Sequence, residues 1–266
     1  MTMLITSSIS PRGIATITLN RPDKHNAFDG EMLKQLNATL QGVAHHPDAR
    51  VVVLTGAGAS FCAGADIAHM RSMLGAAEEA NIADARMLAD CLRTLDELEL
   101  PVIARVNGNV FGGGVGLVAC ADIAIAASTA KFALTEVRLG IVPSAISPYV
   151  VAAIGPRQAR RLFLTGAAFD GVEAHALGLV HFACDAADLD AAVERQADLV
   201  LQGGPAALSA AKKLIRDVLP PQDHAQLAEE TARLLASLRI SPEGQEGLSA
   251  FLDRRMPSWA PKKTGN

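Results

Sequence analysis

Four consecutive apolar residues, Val51 to Leu54, run directly into a loop of small residues, TGAGASFCAGAD, that ends at Asp66. A strand with no polar face has no side to offer water. It belongs in a sheet covered on both faces, which in practice means parallel strands joined by helices. The flanking segments agree. Residues 14–20 alternate, with Ala15, Ile17 and Leu19 opposite Thr16, Thr18 and Asn20, and predict a strand closed by the turn Arg21-Pro22-Asp23. From Asp29 to Val43, Met32, Leu33, Leu36 and Leu40 recur at helical spacing, with Asp29 placed to cap the helix. Residues 80–100 predict a second helix, with Leu88, Leu92, Leu95 and Leu98 on one side and Pro101 as its stop. Residues 101–106 predict the next strand and Asn107-Gly108 a turn. Phe111-Gly112-Gly113-Gly114 then leads into an apolar helix, and residues 122–126 predict a further strand.

This alternation predicts an α/β fold with crossover connections. Strand signals cease near residue 186. Residues 187–202, 205–218, 223–239 and 243–253 all predict helices, broken most clearly at Gly203-Gly204-Pro205 and Leu219-Pro220-Pro221. The expected organisation is an α/β core over residues 1–186 and a helical C-terminal lobe over 187–266, packed together without a low-complexity linker.

The 266 residues are half hydrophobic, enough for one sizeable core. The net charge of −4, with no run of Lys or Arg, argues against a nucleic-acid or membrane-surface partner. The first ten residues lack the basic and apolar regions of a secretory signal. No apolar run reaches the ~18 residues of a membrane span; the longest, Val115 to Ala127, is interrupted by Asp122. Cys62, Cys91, Cys120 and Cys184 form no CxxC pair and read as reduced thiols, so the expected compartment is the cytoplasm.

Two loops carry the chemistry: 56–66 and 108–114. Small residues let a ligand approach the backbone. The second loop opens a helix, whose first N–H groups are free and favour negative charge. For either loop by itself, a tight packing turn is the better reading. Neither fits the P-loop or dinucleotide fingerprint, and no HExxH or Cys/His cluster suggests a metal. Cys62 lacks identifiable His and Asn/Asp partners and reads as a packing residue. His69 reads first as a surface helix position, with a place lining the acyl pocket as its alternative, and Asp122 as structural.

Taken in order along the chain, these segments resemble the enoyl-CoA hydratase/isomerase (crotonase) superfamily. The likeness runs through LNRPDKHNAF (Leu19 to Phe28), VVVLTGAGASFCAGADI (Val51 to Ile67), ARVNGNVFGGGVGLVACADIAIA (Ala104 to Ala126), AKFALTEVRLGIVPSAISPYV (Ala130 to Val150), RLFLTGAAFDGVEAHALGLV (Arg161 to Val180) and EGLSAFLDRRMPSW (Glu246 to Trp259). The resemblance implies a spiral of ββα units, C-terminal helices that mediate trimers or dimers of trimers, and an acyl-CoA thioester as substrate, with CoA entering as part of that substrate and no separate cofactor. It implies an oxyanion hole made by the N–H groups of Ala65 and Gly113. It also places Lys24 near the CoA phosphates, Ala63, Ala65, Asp66 and Ile67 along the CoA path, and Phe251 with Lys262 and Lys263 near CoA, on a neighbouring subunit. Tyr149 would border the acyl group.

Many hydratases of this family use two glutamates. Of the two matching positions here, one is Gly116 and the other is Glu136. Glu136 is therefore the expected acid/base, in apolar surroundings that raise its pKa; pairing with Arg138 is its structural alternative. One carboxylate suffices for hydration and for isomerisation. FGGGVGLV (Phe111 to Val118), followed by the stretch from Leu134 to Val150, looks most like bacterial methylglutaconyl-CoA hydratases of leucine breakdown and their isohexenylglutaconyl-CoA relatives, whose substrates carry a branch and a distal carboxylate. That likeness leads to two further expectations: that bare Gly116 makes room for the branch or for water, and that one of the arginines meets the carboxylate. The remaining alternatives are a general enoyl-CoA hydratase, an isomerase, and a non-catalytic acyl-CoA- or RNA-binding member.

Overall fold

A computed structural model describes residues 3–220 and 223–260. Along the chain run β1 (Ile5–Ile9), β2 (Ile14–Leu19), α1 (Gly30–Ala44), β3 (Val51–Gly56), β4 (Ser60–Cys62), α2 (Ile67–Ser72), α3 (Glu78–Asp96), β5 (Val102–Val106), β6 (Asn109–Phe111) and α4 (Gly113–Ala119). Then follow β7 (Ile123–Ala127), β8 (Lys131–Ala133), α5 (Ser147–Thr165), β9 (Phe169–Asp170), α6 (Gly171–Leu177), β10 (Phe182–Cys184), α7 (Leu189–Leu201), α8 (Pro205–Val218), α9 (His224–Ile240) and α10 (Pro242–Leu252).

The strands build two sheets. The larger has the order β1-β2-β3-β5-β7-β10, parallel apart from the β1–β2 hairpin; the smaller has the order β4-β6-β8-β9. Three successive strand pairs, β3-β4, β5-β6 and β7-β8, each give a longer strand to the first sheet and a short one to the second before a helix returns the chain. That is the ββα spiral expected from the resemblance.

β3 shows why its sequence has no polar face. Val52 and Leu54 join the main core beneath α1 and α3–α5, whereas Val51 and Val53 join a second cluster with Ile14, Ile103 and Ile125. That second cluster is closed by Leu189, Ala192, Val193, Ala197 and Leu201 of α7. α1 begins as predicted: the Asp29 side chain accepts from the Met32 N–H at 2.9 Å. α3 ends at Asp96, two residues before Leu98, which is buried beyond the helix. Asp122 is structural, as expected: its carboxylate accepts from the Val102 N–H at 2.7 Å and the Lys212 ammonium at 2.8 Å. Among the described residues, α8, α9 and α10 together bury a single side chain, Ala250.

The short second sheet decides where the site lies. β4 pairs in parallel with β6, and β6 with β8, so three parallel strands end along one edge. The residues just past those ends are Ala65, Gly113 and Glu136. Side chains and backbone groups beyond the carboxyl ends of parallel strands converge on one crevice.

Candidate active site

The crevice is a cavity of about 280 Å³. Its floor is backbone from Ala63, Gly64, Ala65, Gly112 and Gly113, and its walls include Phe28, Leu33, Leu88, Leu139, Ile141, Val142 and Ile146. The loop carrying Ala65 is fixed from both sides: the Phe28 N–H donates to the Gly64 carbonyl and the Asp66 N–H donates to the Phe28 carbonyl, both at 2.8 Å. Gly64 adopts φ +85, and a Cβ there would lie 2.8 Å from the Phe111 carbonyl oxygen. Only glycine lets the two loops approach this closely. Ala65 N–H and Gly113 N–H have no acceptor among the described residues, and Gly113 is the first residue of α4. Both residues line the same crevice.

Glu136 follows β8 in a short 3-10 turn. It is half-buried, its Oε2 is shielded from water, and that oxygen has no hydrogen-bond partner among the described residues. Its carboxylate lies over Gly112, where a Cβ would come within 3.3 Å of Oε1. Burial raises its pKa, the lowering by a backbone hydrogen bond being the smaller effect. Arg138, the structural alternative, instead donates to the Thr165 carbonyl at 3.3 Å. A buried carboxylate that keeps an oxygen unpaired costs stability, and such groups concentrate at functional sites.

The other predicted residues separate into two groups. Ala63 lines the cavity, although its N–H is spent on the His25 carbonyl at 2.9 Å. Lys24, Asp66 and Ile67 lie on the flank. Asp66 is buried and caps α2 through the N–H groups of Ala68 and His69, while its other oxygen takes the Lys24 ammonium at 3.0 Å and the Arg21 guanidinium at 2.9 Å. Burial alone would push its pKa up; the Lys24 hydrogen bond, the two helix N–H groups and Arg21 outweigh it and hold the pKa below the usual value. Ile67 is 76% exposed beside the loop. Phe251 projects from α10, 80% exposed and away from the residues that line the cavity. Lys262 and Lys263 lie outside the described residues.

Several expectations need correction. Gly116 does not open space. A Cβ there would lie 2.9 Å from Ile146 Cβ and 3.2 Å from Leu92 Cδ2, so Ile146 fills the volume a side chain would take. No arginine or lysine is among the residues lining the cavity. Tyr149 packs against the main core and is not part of the lining. His69 does line the cavity, and its Nε2 hydrogen-bonds Asp84 Oδ1 at 2.7 Å. Asp84 comes from α3, so the pair spans two helices, a contact no local pattern displays.

Sequence reasoning also missed Asn26. Fully buried at φ +57, it donates to the carbonyls of Ala57 (2.9 Å) and Ser60 (2.8 Å) and accepts from the Arg21 N–H at 2.9 Å. The side chain ties the RPDKHNAF turn to the first small-residue loop. The only local hint was an Asn within a polar turn. Cys62 is buried, its thiol pushed up to about 12 by desolvation, as befits a packing residue. Among the described residues no group of three or more His, Cys, Asp or Glu could hold a metal ion, and no helix is long and apolar enough to cross a membrane.

Two parallel strand ends with unpaired backbone donors and a shielded carboxylate thus line one cavity of a crotonase-fold protein. By its sequence the chain belongs to the enoyl-CoA hydratase/isomerase family, whose profile matches residues 10–262. It is 32% identical over 252 residues to the crotonyl-CoA hydratase of Syntrophomonas wolfei, covering 94% of this chain and 95% of that one. Among solved structures it is similar to AtuE of Pseudomonas aeruginosa, with 39% identity, a TM-score of 0.93 and coverage of 97% and 100% of the two chains. It is likewise similar to an enoyl-CoA hydratase of Shewanella pealeana, with 38% identity, a TM-score of 0.93 and 96% of each chain covered.

Proposed function

We propose that this protein is a hydratase that adds water across the double bond of a 2-enoyl-CoA thioester. The observation that carries the reading is the Glu136 carboxylate, raised in pKa and with one oxygen unpaired, in the cavity that also holds the free N–H groups of Ala65 and Gly113. The thioester oxygen accepts from those two N–H groups. Glu136 takes a proton from water as the water oxygen bonds to C3. The C2=C3 electron pair moves onto the thioester as an enolate, and the same carboxyl returns the proton to C2. Each preorganised donor contributes about 10²–10³ in kcat. Lys24, Ala63, Asp66 and Ile67 flank the CoA path, Phe251 completes it from a neighbouring subunit of a trimer or dimer of trimers, and no cofactor beyond the CoA of the substrate is needed. The protein acts in the cytoplasm, and its C-terminal helices form the oligomer.

The finer reading names 3-methylglutaconyl-CoA or a similarly branched, carboxylated substrate, supported by the likeness of residues 134–150 to hydratases of that class. An isomerase is the second reading, since a single carboxylate in the cavity, Glu136, also suffices to shuttle a proton between carbons. Purified protein supplied with crotonyl-CoA, 3-methylglutaconyl-CoA and a 3-enoyl-CoA separates the three. Water addition with a strong preference for 3-methylglutaconyl-CoA is expected. Comparable turnover of crotonyl-CoA removes the finer reading. Conversion of the 3-enoyl thioester to the conjugated isomer, with no hydrated product from any substrate, removes the hydratase.

A further inference from the structure

The cavity holds a second polar device that the scheme above does not use. His69, on α2 one turn beyond Ala65, lines the same cavity as Glu136, and Asp84 of α3 accepts at its Nε2 across 2.7 Å. Nδ1 has no partner among the described residues. A carboxylate on one imidazole nitrogen fixes the ring's orientation and leaves the other nitrogen to meet a ligand. The pair sits on the α2–α3 wall. Leu88, one turn along α3 from Asp84, packs against Gly113, with its Cδ2 3.3 Å from where a Cβ there would stand. The pair is thus about one helical turn from the proposed thioester site, a displacement along α3 of about 6 Å.

Charge around the pair narrows its role. The ionisable residues among the described lining are Asp29, Asp84, Glu136 and His69. Asp29 is already held by Arg21 at 3.0 Å, and Asp84 by His69. Among the described residues that line the cavity, His69 is the only basic side chain. Met70 and Leu88, which line the same cavity, are apolar and offer an anion no side-chain donor.

We propose that His69, oriented by Asp84, binds the carboxylate at the far end of a dicarboxylic acyl chain, its Nδ1–H donating to that group. This rests on the reading that an acyl-CoA occupies the cavity, and it gives the far carboxylate a hydrogen-bond donor. Glutaryl-CoA and butyryl-CoA, both saturated and therefore unable to be hydrated, separate recognition from catalysis. Calorimetric titration of the full-length protein with each gives the affinity ratio. The wild type is expected to favour glutaryl-CoA by roughly tenfold or more, the value of one hydrogen bond to a charged group. His69→Gln is expected to bring the ratio close to one, and Asp84→Asn to lower it part of the way. The assignment is overturned by a wild-type ratio of one or below, or by a ratio that His69→Gln leaves unchanged. If neither thioester binds, the acyl-CoA reading fails together with this one. A lost preference with binding retained leaves that reading standing.

Discussion

Glu136 holds an unpaired oxygen in a place shielded from water. Since its pKa is raised on folding, the folded protein keeps this proton more tightly than the unfolded chain. Stability therefore declines as pH rises from the ordinary carboxylate value through the raised one, and the loss persists at neutral pH. Glu136→Gln removes that decline. Thermal unfolding is expected to show the variant melting above the wild type at pH 7, by roughly 2–4 °C, with the gap closing near pH 4. A variant that melts lower at both pH values would show the carboxylate to be a structural partner. Glu136 was legible in the sequence only through its family resemblance; its local pattern equally allowed a pair with Arg138. His69 and Asp84 were not legible. They lie 15 residues apart on different helices, and only the packing of α2 against α3 brings them together.

At the scale of elements, the loss of a side chain at position 116 is matched by the gain of one at 146. Gly116 on α4 and Ile146 at the start of α5 occupy one volume. Gly116→Ala is expected to cost about 1–3 kcal/mol by overpacking, and Ile146→Ala about 2–5 kcal/mol by leaving a cavity. The double variant should cost less than their sum by more than about 0.5 kcal/mol, because each change relieves the other. Urea unfolding of the four proteins gives the coupling; strict additivity would mean that Ile146 does not fill the glycine's space. Elements differed in how readable they were. β3 was plain because a fully apolar run has one solution. The short strands β4, β6 and β8 were not, since three residues carry no period. β1 escaped notice because its Thr6-Ser7-Ser8 centre is half exposed at the sheet edge. These unreadable short strands are the ones that place the site, while the loops they end in were visible from their small residues.

At the scale of the molecule, the helices beyond α7 are less than fully covered. Phe251 and Leu252 of α10, Ile240 of α9 and Ile215 of α8 are all exposed in the single chain. An apolar surface of this kind marks an interaction site, in keeping with the proposed trimer. Sedimentation is expected to give three or six copies, and Phe251→Glu to shift the population toward smaller species. A wild type that sediments as a monomer at micromolar concentration would remove the oligomer and, with it, the role of Phe251 at a neighbour's site.

The central claim is that Glu136 moves the proton while the backbone of Ala65 and Gly113 holds the enolate. The most direct measurement is steady-state hydration by Glu136→Gln, paired with calorimetric binding of a saturated acyl-CoA. The expected result is a kcat lower by about 10²–10⁴ with affinity within a few-fold of wild type. Near-wild-type hydration by the variant would contradict the claim.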